Sequence, residues 1–61
     1  MKMDNLPQNP IMLMSVINTW LRDSYSSLDQ LCEDRGIDRR ALEEKLADAG
    51  FTYLPIPNQF R

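Results

Sequence analysis

Carboxylates are the commonest residues in this chain that could do chemistry. Asp29 with Glu33, and Glu44 with Asp48, each stand four apart, a spacing that puts both acids on one helix face. Two such groups could act as acid and base on a substrate held between them. On exposed faces they read as solvated charges instead. Asp34 and Asp38 bracket Gly36 in "DRGID", faintly like a cation loop. The ligand series and closing Glu of a calcium loop are missing, and helix capping explains both acids. Cys32 sits among leucines, where a thiol is an inert small hydrophobe. There is no histidine, so the commonest general base is absent. One cysteine without histidine cannot build a four-ligand zinc site. No G-x-S-x-G, phosphate loop or G-x-G-x-x-G occurs. The expectation is no enzyme: no catalytic residue, no metal site and no cofactor.

The cations offer a second chemistry. Arg35, Arg39, Arg40 and Lys45 fall within "SLDQLCEDRGIDRRALEEKLADAGF", which has the outline of a helix-turn-helix. These four are the candidate contacts for an anionic partner. Charge weighs against nucleic acid as that partner. From Ser27 to Gly50 there are seven acids against four bases, a net charge of −3, whereas phosphate neutralisation supplies most non-specific affinity. Arg39 and Arg40 also stand in a first helical turn, where cations oppose the helix dipole. Pairing of Arg39 with Glu43 and of Arg40 with Glu44 roughly offsets that cost.

These side chains depend on helices the sequence marks clearly. Asn9 is an N-cap and Pro10 occupies the first helical position, where a missing N–H costs nothing. Leu13, Met14, Val16, Ile17, Trp20 and Leu21 then share one broad apolar face. Ser15, Asn18, Thr19 and Arg22 form the polar face. Ile11 and Met12 fall outside the apolar stripe, so something should cover them. Ser27 and Gln30 make a capping box, and Gly36 provides a left-handed stop for the second helix. Ile37 packs back on Leu31 and Cys32 and staples forward onto Leu42. Asp38 caps a third helix with a seam of Leu42, Leu46 and Ala49, stopped at Gly50. The predicted helices run over about 10–24, 27–35 and 38–49.

The tail "FTYLPIPNQFR" cannot be helical, because Pro55 and Pro57 remove donors and hold their predecessors extended. It carries too much apolar area for a solvated linker. The expected fold is therefore all-α: one compact three-helix domain over 1–61. Residues 1–8 form an extended N-terminal arm, and residues 51–61 an extended tail packed on the helices. Such a small chain buries only about 60% of its unfolded surface, and without disulfide or metal it relies on helix packing or self-association. The single thiol suits a reducing compartment and no apolar run reaches the roughly 20 residues of a membrane span. No signal peptide is read in "MKMDNLPQNPIMLM". The expectations are a cytoplasmic location and no membrane partner.

Taken whole, the chain resembles a family of short proteins catalogued as domain of unknown function 4250. The likeness rests on "NLPQNPIMLMSVINTWLRD", "SLDQLCEDRGID", "KLADAGFTY" and the closing "NQF", spanning Asn5 to Phe60. It implies a free-standing bacterial protein and carries over no activity or site residue. Two parts of that pattern lie outside any helix. Asn5, Asn9, Asn58 and Gln59 could tie the chain ends together through side-chain to backbone bonds. The functional expectation is a non-catalytic binding or adaptor module that meets another protein or a second copy of itself. Its candidate partner surface combines Ile11, Met12, Tyr53, Leu54, Ile56 and Phe60, since interface cores enrich aromatic and Met side chains. The alternative is a helix-turn-helix-like nucleic-acid module using the four cations.

Overall fold

The first helix opens where its cap predicts. The Asn9 carboxamide oxygen accepts from the N–H groups of Ile11 and Met12, satisfying two donors that an α-helix leaves free at its start. The structure is a computed structural model and describes residues 6–61. Three helices follow in order, α1 (Pro10–Asp23), α2 (Leu28–Arg35) and α3 (Arg39–Ala47), then two short strands, β1 (Tyr53–Leu54) and β2 (Gln59–Phe60). The three-helix domain expected from the sequence is the observed architecture. The expected N-terminal arm falls largely on residues 1–5 and, with Asn5, outside the described residues.

Ser27 and Asp38 cap α2 and α3 from just outside each helix, so both begin one residue later than the spacing suggested. The capping box is displaced. Ser27 Oγ accepts from the Gln30 N–H, but the Gln30 side chain returns to Ser26, accepting from its N–H at 3.1 Å and its hydroxyl at 2.8 Å. At Gly36 φ is +69°, and the Ile37 N–H reaches the Cys32 carbonyl at 2.9 Å, closing a Schellman end. Gly50 repeats the device: φ is +92° and the Phe51 N–H donates to the Leu46 carbonyl. The winding after Ala47 is tighter, with Gly50 N–H bonded to the Ala47 carbonyl. Ala49 is thereby left exposed, and the buried seam of α3 is Leu42 and Leu46 alone.

Every element but β1 contributes a buried side chain to one core. Leu13, Ile17 and Leu21 come from α1, Leu28, Leu31 and Cys32 from α2, Leu42 and Leu46 from α3, Ile37 from the turn and Phe60 from β2. No polar or charged side chain among the described residues is buried with them. Met14 and Trp20 pack half-buried at its margin. The Cα radius of gyration is 10.3 Å, close to the roughly 10.5 Å expected of a chain this long when fully collapsed.

The tail packs on the helices as expected, but it folds back on itself instead of running extended. Thr52 and Arg61 exchange both backbone bonds, at 2.8 and 2.9 Å, and Tyr53 stands opposite Phe60 in an antiparallel pair. The reversal falls where Pro55 and Pro57 exclude helix, and Asn58 completes it at φ +67°, a conformation asparagine tolerates better than most residues. The Ile56–Pro57 peptide bond is cis.

Candidate functional site

The tail hairpin is fixed to α1 by two asparagines. In an antiparallel pair, alternate residues point their N–H and C=O away from the partner strand. Phe60 is such a residue, and Asn18 of α1 meets both of its groups. The Asn18 carboxamide oxygen accepts from the Phe60 N–H at 2.8 Å and its nitrogen donates to the Phe60 carbonyl at 3.1 Å. Asn58 works from the opposite direction. Its nitrogen donates to the carbonyl of Leu21, one of those the end of α1 leaves unpaired, and to that of Tyr25 just beyond the helix, and its oxygen accepts from the Tyr53 hydroxyl. That hydroxyl also accepts from the N–H of Leu28 at the start of α2. One hydroxyl and two carboxamides thus join the tail to both helices. The predicted tie between the chain ends is not made by Asn9 or Asn58: Asn58 reaches the end of α1, Asn9 is spent on its start, and Asn5 lies outside the described residues.

Docking the hairpin this way leaves an open groove between the outer face of α1 and the tail turn. Ile11, Met14, Ser15, Asn18, Thr19 and Arg22 line one side, and Pro57, Asn58 and Gln59 the other. Its single charged residue is Arg22, whose guanidinium lies 3.0 Å from the Asp23 carboxylate. Several of its polar side chains are already engaged: Asn18 and Asn58 as above, and Thr19 donating to the Ser15 carbonyl at 2.9 Å. Two large apolar side chains stand free beside it. Ile11 is 63% exposed on the α1 side, and Ile56, next to the lining residue Pro57, is 91% exposed at the turn.

The six residues predicted as a partner surface therefore divide. Ile11 lines the groove, and Ile56 is the exposed residue preceding the lining residue Pro57. Met12 is also exposed, at 59%, but one step further along a helix turns it about 100° away from Ile11. Tyr53 and Leu54 are half-buried. The Tyr53 ring packs on Phe60 at 5.5 Å between centroids, and its hydroxyl is committed to the fold. Phe60 is a correction: at 2% exposure it is core, not surface. Pairing opposite Tyr53 turns its ring inward, which the tail sequence alone could not specify.

The four cations are not gathered into one patch. The Arg35 guanidinium lies 3.9 Å from the centre of the Trp20 ring, a stacked cation–π arrangement. Arg39 binds Asp29 across the α2–α3 turn and lies 3.4 Å from Glu43. It also stands over the Tyr53 ring at 5.6 Å. The hydrogen bond it donates to Asp29 is the main reason the Arg39 pKa is raised further. Arg40 approaches Glu44 only at 3.7 Å, with both side chains widely exposed. Lys45 borders a separate hollow with Leu6, Pro7, Leu13 and Leu42. Both expected i, i+4 pairs form, and the sequence reading missed the long-range Asp29 contact. The acid of the first carboxylate pair is thus engaged by a cation, as is Glu44 of the second. Asp34 accepts from the Tyr25 hydroxyl. Burial pushes the Cys32 thiol pKa up, despite the opposing pull of Arg39, which leaves it a poor nucleophile.

Residues 7–60 match the family described as Domain of unknown function (DUF4250). The chain is a DUF4250 protein. No curated protein and no solved structure matches it. The family therefore brings a sequence pattern without an assigned activity. Among the described residues of this DUF4250 chain, no group of three His, Cys, Asp or Glu could hold a metal ion, and no helix is long and apolar enough to cross a membrane.

Proposed function

We propose that this protein is a small non-catalytic binding or adaptor module of the reducing cytoplasm, and that it meets a protein partner through the groove between α1 and the tail turn. One observation carries the reading. Ile11 stands exposed in the lining of a face whose single charge is paired, and Ile56 stands exposed beside Pro57 of that lining, in a chain where 26% of residues are charged. Interface cores show this same depletion of charge around exposed apolar groups. The polar groups already bonded within the groove can be covered without stranding a donor or acceptor, which is the usual penalty for burying them. Cys32 supports the location, since a lone thiol is at home where disulfides do not form.

The test is capture from native lysate with the full chain as bait, beside Ile11→Asp and Ile56→Asp baits. The expected partner is retained through nuclease treatment and high salt and lost with either substitution. A partner that survives both substitutions, or leaves with nuclease, would move the site elsewhere. Nucleic-acid binding, the alternative, draws on Arg35, Arg39, Arg40 and Lys45. Two of those side chains already face ring or carboxylate neighbours at close range.

A further inference from the structure

We draw no further inference here: the strongest candidate, the hollow that Leu6 and Pro7 form with Leu13 of α1 and with Ala41, Leu42 and Lys45 of α3, is a largely apolar face, and nothing in the structure shows what covers it.

Discussion

Asn18 takes the place of a neighbouring strand for Phe60, giving its backbone one donor and one acceptor. Because the Phe60 ring is core, these backbone groups lie part-buried where the tail meets α1, and losing the carboxamide strands both. Asn18→Ala should therefore cost about 1–3 kcal/mol. In a domain this small, each kcal/mol lowers the thermal midpoint by about 4–8 °C. Thermal unfolding followed by circular dichroism reads this, and an unchanged midpoint would mean water replaces the amide fully. Cys32 gives a second expectation at this scale. Burial raises its pKa above the ordinary 9.0, so the unfolded chain releases this proton first as pH rises. The stability gained by keeping the thiol neutral is complete below that ordinary value and is lost as pH rises through the folded value. Urea midpoints of the wild type should fall more steeply than those of Cys32→Ala across that alkaline window. Parallel curves would show the thiol titrating alike in both states.

The elements are held by unequal contacts, although their sequences look similarly charged. Arg39 ties α3 to Asp29 on α2 and covers the Tyr53 ring, whereas Arg40 meets only Glu44 within its own helix. Arg40→Ala should change stability by less than about 0.5 kcal/mol, and Arg39→Ala should cost clearly more because packing is lost with the charge. Equal urea midpoints for the two variants would contradict that ranking. The tail hairpin is the element most exposed to damage. Removing residues 58–61 takes away Phe60 and Asn58 together, and truncating a buried Phe alone costs about 3–5 kcal/mol. A domain of 61 residues is stable by about 3–9 kcal/mol in total. The deletion should unfold most of the population, seen as loss of helical circular dichroism at room temperature. The helices were legible because their signals are local: Asn9, Ser27, Asp38, Gly36 and Gly50 each act within a few residues of themselves. The groove was legible only in part. Ile11 and Met12 stood out as apolar residues without a place, but Ile56 was one of several apolar tail residues, and the inward turn of Phe60 depends on pairing with Tyr53. The use of Asn18 depends on a contact across 42 positions, and no helical spacing distinguishes it from the solvated Ser15 beside it.

At the scale of the whole molecule, the question is whether its field could draw a polyanion to the cations the sequence singles out. The chain carries nine acids against seven bases, so a phosphate backbone gains no general attraction. Local clustering would have to supply it, and the fold works against clustering. Arg35 is drawn onto Trp20 of α1, and Arg39 is turned toward Asp29 and Glu43. Arg40 and Lys45 project from α3 about 140° apart around its axis, too divergent to straddle one groove of a duplex from a helix this short. Phosphate contacts are what make nucleic-acid affinity steep in salt. A labelled mixed-sequence duplex and a single-stranded RNA, titrated with the full chain at low salt, should therefore show no saturable change in anisotropy at micromolar protein. Saturable binding that weakens with salt and disappears in Arg40→Ala/Lys45→Ala would reverse the conclusion, because those two cations would then be meeting phosphate despite the acids around them.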